Sequence, residues 1–243
     1  MAAVNLEPFR QQRARDIETL ASILERELIC LDTSSLRSAA EQCRRNLPAG
    51  KTSWGYDVAP FRFTFSAPKN THPPGLQQCD WIIGVSVQAV CETRALTSRL
   101  THIDFQLSAR AEDGTGSPFH CAWHLDRHPP GTPSTVGVHP GYHFQHGGNK
   151  VDATLFGNLL LFDAPRLPHP PLDAILSVDF LLSNFNHPEW YRLRQSSPEY
   201  LRLVVDSQER FWKPYVSSLH KWWDHPTAAQ RAEASLIWPQ LIC

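Results

Sequence analysis

The sequence predicts an α+β fold with N-terminal helices, an antiparallel four-strand meander and C-terminal helices. Apolar residues recur at helical spacing near both ends of the chain, whereas in the middle they alternate with polar residues. Breaks rich in glycine and proline, at 73–75 and 114–116, separate the alternating stretches. Helices before and after such a meander are typical of proteins whose helices cover one face of an antiparallel sheet.

The N-terminal segment predicts two helices. One covers 10–31, because its apolar residues share a helix face: Ile17, Leu20, Leu24, Leu28 and Leu31. Thr33 or Ser34 can cap a second helix, which ends at 48–50. Five arginines in these helices form either a solvated face or a docking surface for an acidic partner: Arg10, Arg13, Arg15, Arg44 and Arg45.

Four alternating stretches predict the strands of the meander. They are 61–65, 81–91, 101–109 and 119–126, and in each of them every second residue is apolar. One face of the sheet should therefore meet the core and the other should face water.

The C-terminal segment predicts further helices. A helix over 172–185 carries Asp179 on its apolar face, where a buried carboxylate needs a partner such as Arg166 or a histidine. Ser197 and Pro198 begin another helix, as cap and first residue, and Pro214 kinks or ends it. A last short helix starts at Thr227.

Length and composition favour a single domain over 1–243, with an N-terminal helical part to 50, the sheet and a histidine-rich loop over 51–165, and C-terminal helices from 166. The net charge of −1 argues against a nucleic-acid partner. No long apolar run predicts a membrane span, and 1–15 lack the apolar run of a signal peptide. Cysteines in apolar surroundings, none in a CxxC pair, favour buried thiols in the cytoplasm.

A histidine cluster carries the functional hypothesis. Six of the twelve histidines lie between 120 and 146: His120, His124, His128, His139, His143 and His146. On a strand over 119–126, alternation places His120, His124 and Asp126 on the face opposite the core. A second short strand over 142–146 would turn His143 and Gln145 one way and Tyr142, Phe144 and His146 the other. A hairpin would bring His143 or His139 near His124 and Asp126.

Imidazole and carboxylate groups together bind divalent transition metals, so a zinc or manganese ion is the cofactor that the cluster suggests. We expect His124, Asp126 and His143 to act as ligands or as acid–base groups, with His120 and His139 as further ligands. Such a metal would activate water and polarise a phosphoryl or carbonyl oxygen. Without a metal, the same residues can serve as general acid and base.

Four other residues are candidates for substrate binding. Gln145 can orient a substrate, and Gly147 and Gly148 let backbone N–H groups approach an anion. Arg166 can hold a phosphate or a carboxylate, or form a surface salt bridge. His102 and Asp104 on the neighbouring strand either extend the site or belong to an ordinary solvated face.

Two further interpretations of the cluster remain open at this point. The histidines can be structural and donate hydrogen bonds across a proline-rich hairpin, or they can form a pH switch or a nonspecific metal-binding surface. Their spacing matches no established metal motif, since HExxH and zinc-finger patterns are absent, as are GxSxG and P-loop motifs.

The meander is followed by a His139-Pro140 dipeptide, by Gly147, and then by a proline-rich stretch and a helix over 168–185. This order resembles that of the ubiquitin-conjugating enzymes, in which a helix, a four-strand meander and a His-Pro motif precede further helices. The family's catalytic cysteine would follow the His-Pro motif, but no cysteine occurs between Cys121 and Cys243. The resemblance therefore implies a partner-binding module rather than a thioester carrier.

The leading prediction is a metal-dependent or acid–base hydrolase, with a phosphoester as the preferred substrate. The alternative is a non-catalytic protein-interaction module, similar in architecture to a ubiquitin-conjugating enzyme.

Overall fold

The computed structural model describes residues 7–47, 53–69, 71, 74–90, 100–127, 140–147, 167–224, 227–238 and 241. Six helices flank a sheet in this part of the chain: α1 (Glu7–Arg26), α2 (Ser34–Arg44), α3 (Ala174–Phe185), α4 (His187–Ser196), α5 (Pro198–His220) and α6 (Ala228–Ile237). None of them combines the length and the hydropathy that crossing a lipid bilayer requires.

The sheet is an antiparallel meander in which each strand pairs with the next along the chain. Its strands are β1 (Ser53–Ser66), β2 (Gln78–Val90), β3 (Leu100–Glu112), β4 (Pro118–Arg127), β5 (Tyr142–His146) and β6 (Leu167–Pro168). The α+β class is confirmed, but the count of four strands is wrong. Strands β5 and β6 extend the meander to six, and β6 is too short to show any alternation.

The two faces of the sheet differ as the alternation predicts. One face is apolar and packs against the helices, for example through Trp81, whose ring stacks on that of Phe185 in α3 with centroids 4.1 Å apart. The ring of Phe180 in the same helix lies 5.8 Å from Phe105 of β3. A single hydrophobic core joins the N-terminal helices, this face and the C-terminal helices.

The first helix ends earlier than predicted, at Arg26 rather than residue 31. Leu28 adopts a φ of 56°, and its N–H donates to the Glu25 carbonyl, which closes the turn. The turn buries Ile29 and Cys30 and leaves Leu28 77% exposed. The second helix is preceded by Thr33, but the Thr33 hydroxyl donates to the Glu25 carboxylate instead of capping the helix.

The predicted arginine face is only partly exposed. Arg10 and Arg13 are buried, and Arg13 pairs with the buried Asp16 at 2.8 Å. Asp16 also forms an ion pair with Arg202 of α5, whose Nη1 lies 3.3 Å from Asp16 Oδ1. The docking surface and the solvated face are thus both wrong for these two residues. Arg10 donates to the Arg45 carbonyl after α2, and the Arg13–Asp16 pair lies where α1 packs against α5.

The C-terminal helices begin as the sequence predicts. The Ser197 side chain accepts from Tyr200 N at the start of α5, and Thr227 forms a reciprocal capping box with Gln230 at α6. Pro214 does not end α5, which continues to His220. The start of α3 is capped by Asp173, whose carboxylate accepts two backbone N–H groups.

Strand β1 forms one edge of the sheet and is bulged between Val58 and Phe61, where Pro60 interrupts the pairing. Its outer side meets α2. The Gln42 side chain donates to the Asp57 carbonyl at 3.0 Å and accepts from the Asp57 N–H at 2.8 Å.

Candidate functional site

The open face of the sheet carries the histidine cluster, as its alternation predicts. On β4, His124 and Asp126 project to this face, whereas Leu125 is buried in the core. The pairing of β4 with β5 places Asp126 opposite His143 and His124 opposite Gln145. Because directly opposed residues on adjacent strands lie about 5 Å apart, four polar side chains meet in a small area.

Three of these side chains form a compact group. His143 Nε2 lies 3.0 Å from Asp126 Oδ1, and the rings of His124 and His143 are nearly perpendicular, with centroids 6.3 Å apart. One ligand atom from each of the three residues lies within 4.8 Å of the other two. The predicted convergence of His124 and Asp126 with His143 is therefore present.

The spacing of this group is compatible with a metal ion. Three atoms within 4.8 Å of one another share a point that is at most about 2.8 Å from each of them. Zinc binds nitrogen and oxygen ligands at about 2.0–2.2 Å, so shifts of less than about an ångström would complete the coordination. Three protein ligands would leave a position for water, as in catalytic zinc sites.

The group is enclosed on one side and open on the other. His143 and His124 are buried, with 1% and 8% of their surface exposed, whereas the Asp126 side chain keeps 44%. Across β3, Asp126 faces Asp104 and His124 faces Gln106. A ligand would thus reach the group through Asp126.

Of the predicted substrate-binding residues, Gln145 is close to the group. It is buried on the same face and opposite His124. Gly147 has a different role from the predicted one: its N–H donates to the Ala122 carbonyl at 2.8 Å, and its φ of 74° suits glycine at the end of β5. That N–H is committed to the sheet rather than to an anion.

His120 lies apart from the three-residue group. It precedes His124 by two alternations on β4, a distance of about 13 Å along a strand, and it is opposite Arg110. Burial, and then the nearby guanidinium of Arg110, lower the pKa of His120 and favour its neutral form.

Three predicted site residues, His139, Gly148 and Arg166, lie outside the described residues, as does His128. Asp179 does have a buried environment, but its described partners are not those predicted. It accepts from Arg194, Trp190 and Tyr200 on α4 and α5. The cluster of donors spans two later helices, so local spacing does not reveal it.

The cysteine between the first two histidines of the cluster lies on the opposite face of the sheet. Cys121 projects to the helix-covered face, away from His124, and burial raises the pKa of its thiol to about 11. Cys30, Cys43 and Cys79 are buried free thiols, as predicted.

Sequence reasoning did not assign a role to Gln106. Its amide donates to Asp104 Oδ2 at 2.9 Å and so positions a carboxylate beside Asp126. The alternation on β3 already placed both side chains on the open face; only the register with β4 was missing.

Comparisons of this chain with models of protein families, with curated proteins and with solved structures found no match.

Proposed function

We propose that His124, Asp126 and His143 bind one divalent transition metal ion, zinc or manganese, and that the protein is a metal-dependent hydrolase. The observation that carries the proposal is the proximity of three ligand atoms, all within 4.8 Å of one another. The imidazoles favour zinc, and the carboxylate is also acceptable to manganese.

The electrostatics of the open face add support. Asp104 and Asp126 are directly opposite each other on β3 and β4. Two carboxylates in this position repel each other, which destabilises a sheet in the absence of a positive charge. A cation bound at Asp126 would offset this repulsion, and Asp104 would then act as an outer carboxylate that favours the bound metal.

The chemistry follows from an open coordination position. A metal held by His124, Asp126 and His143 would supply acidification of a water molecule, whose oxygen could then form a bond to an electrophilic carbon or phosphorus. The bond to the leaving group breaks, and the leaving group takes up a proton from solvent. Gln145, next to His124, is suited to orient the substrate. Phosphoester and acyl substrates both fit this scheme, and the preference for a phosphoester stays a prediction.

A metal-free mechanism is the second candidate, favoured by the 3.0 Å contact between His143 Nε2 and Asp126 Oδ1. In that case Asp126 orients His143, which acts as a general base towards water. The two candidates differ in their response to a chelator, since only the metal-dependent hydrolase loses activity on metal removal.

Equilibrium dialysis against Zn²⁺ and Mn²⁺, with metal measured by mass spectrometry, tests the proposal. We expect one bound ion per chain in the wild type and in His102→Ala, which removes an exposed histidine from the same sheet face. His143→Ala and Asp126→Asn should lose the ion. Because His143 is buried, Asp126→Asn serves as the variant whose folding is least at risk.

Turnover is measured on a panel of chromogenic esters, amides and phosphoesters, before and after treatment with a chelator. A wild type that binds no more metal than Asp126→Asn would refute the metal centre. If it also hydrolysed no member of the panel, the hydrolase proposal would fail and the interaction module would be favoured.

A further inference from the structure

A groove lies on the open face of the sheet, beside the His124–Asp126–His143 group. It has a volume of about 1590 Å³ and runs over β1 to β4. Small residues line part of it, namely Gly84 on β2, Ser108 on β3 and Ala122 on β4. Longer side chains of the same strands also line it, among them Ile82 and Arg110.

The groove is larger than a small-molecule site. Pockets for small ligands enclose about 300–1,000 Å³, which is well below the volume found here. Along β3 it extends from Asp104 to Glu112, which is about 26 Å at the usual rise of a strand. An extended peptide of about eight residues has this length, and a hexapeptide fits within it.

The charge of the lining selects among extended ligands. Among the residues that the structure describes, five carboxylates line the groove: Asp57, Asp80, Asp104, Glu112 and Asp113. Two guanidinium groups within the same described lining oppose them, and one of these, Arg62, lies 3.5 Å from Asp80. The excess of negative charge repels a polyphosphate chain and attracts lysine or arginine side chains.

The groove is continuous with the approach to the proposed centre. Asp104 and Gln106 line the groove, and they are the cross-strand neighbours of Asp126 and His124. The step from the groove to the centre is one strand spacing, about 4.8 Å. Asp126, which is the exposed member of the group, lies on this side.

We propose that the groove is the substrate site of this centre and binds an extended peptide segment carrying a basic side chain near Asp104. The inference rests on the proposed function, and it decides between the two substrate classes in favour of the acyl one. In the reaction, the activated water oxygen bonds to an amide carbon, the C–N bond breaks, and the amine leaves with a proton from solvent.

Fluorescence anisotropy with two labelled hexapeptides tests the groove. One alternates glycine with lysine and the other glycine with glutamate, and a single-stranded oligonucleotide serves as a polyanionic probe. The protein is first treated with a chelator, so that binding is measured without cleavage. We expect the lysine peptide to bind about tenfold or more tightly than the glutamate peptide, and its binding to weaken with salt.

Two groove variants and one control localise the binding. Asp104→Asn removes a half-buried charge and should weaken binding of the lysine peptide about fivefold. Gly84→Val places a branched side chain in the groove, where a Cβ meets Pro60 Cγ at an ordinary 3.6 Å, and we expect a loss of about tenfold. Glu209→Gln makes the same charge change on exposed α5 and should leave binding unchanged.

Equal binding of the two peptides, tighter binding of the oligonucleotide, or groove variants indistinguishable from Glu209→Gln would overturn the inference. The same variants are dialysed against zinc, where Gly84→Val should bind the ion as the wild type does, whereas Asp104→Asn, which removes the outer carboxylate, should bind it more weakly. If the wild type binds no zinc, the proposed function is refuted. If it binds zinc but does not prefer the lysine peptide, the metal centre stands and the proposed peptide site in the groove is refuted. The two failures are thus distinguishable.

Discussion

Two carboxylates on opposite sides of the sheet show how a structural acidic residue differs from an accessible one. Asp179, in the helical layer, is enclosed, with 8% of its side chain exposed, and receives hydrogen bonds from Arg194, Trp190 and Tyr200. Asp126, on the open face, contacts His143 and keeps 44% of its side chain exposed. The first is surrounded by donors of the fold, whereas the second keeps nearly half of its side-chain surface in contact with solvent.

The largest expected effect concerns the enclosed carboxylate. Asp179→Ala leaves the Arg194 guanidinium and two aromatic donors without their acceptor, so we expect the free energy of unfolding to fall by about 3 kcal/mol. Urea denaturation measures this change. Metal binding should be unaffected.

Asp206→Ala is the matched control for that variant, because Asp206 pairs with Arg202 at 2.8 Å on the exposed surface of α5. Its loss should cost about 0.5 kcal/mol. If the two variants were equally destabilised, enclosure would not be what separates these carboxylates.

The opposite pattern is expected on the open face. Asp126→Asn removes a charged ligand, so zinc affinity should fall about hundredfold, while the free energy of unfolding changes by less than about 1 kcal/mol. Dialysis and urea denaturation of the same preparation measure both quantities. A large loss of stability with unchanged zinc affinity would reverse the assignment of Asp126 to a binding role.

Buried histidines extend the comparison to pH. His169 packs against the rings of Phe144 and Phe180 on the covered side, and burial lowers its pKa, against a smaller raising effect of the Pro170 carbonyl. Between the folded pKa and the ordinary value of 6.5, the unfolded chain therefore binds a proton that the folded chain does not. Stability is full above that window and falls as the pH falls through it.

His169→Phe should remove this part of the pH dependence, which is about 1.4 kcal/mol for each unit of pKa difference. Urea denaturation between pH 7 and pH 5 measures the slope, in about half-unit steps. His220→Gln, at the exposed end of α5, is the control and should keep the wild-type slope. If the free energy of unfolding of His169→Phe still fell with pH as in the wild type, another titratable group would be responsible for the pH dependence.

The smallest expected effect comes from a single donor to Asp179. Trp190→Phe removes the indole N–H that lies 3.0 Å from Asp179, whereas Arg194 and Tyr200 still donate to this carboxylate. We expect a loss of about 1 kcal/mol in the free energy of unfolding. A loss as large as that of Asp179→Ala would mean that Trp190 acts mainly through packing.

The sequence predicted the open face well because alternation is a local property. The side to which His124, Asp126 and His143 project follows from their parity on β4 and β5. Their proximity also depends on the register between β4 and β5. The predicted hairpin allowed a register that brings them together, and in the structure Asp126 is paired with His143.

The predictions failed where the conformation or the burial of a residue depends on contacts that its local sequence pattern does not show. The apolar spacing of Leu28 and Leu31 continues the pattern of α1, but a turn at Leu28 buries Ile29 and Cys30 instead. Arginine is usually a surface residue, but Arg13 is buried where α1 packs against α5, and Asp16 beside it also pairs with the distant Arg202. Strand β6 has two residues and is recognised only by its pairing with β5.

The contact between Gln42 and β1 has a consequence for the behaviour of the protein at high concentration. An edge strand offers its free N–H and C=O groups to any other extended chain, which is a common route to aggregation. At Asp57 a side-chain amide occupies both groups in the manner of a further strand. The protein thereby protects its longest strand from intermolecular β-pairing at this position, with one glutamine from a neighbouring helix.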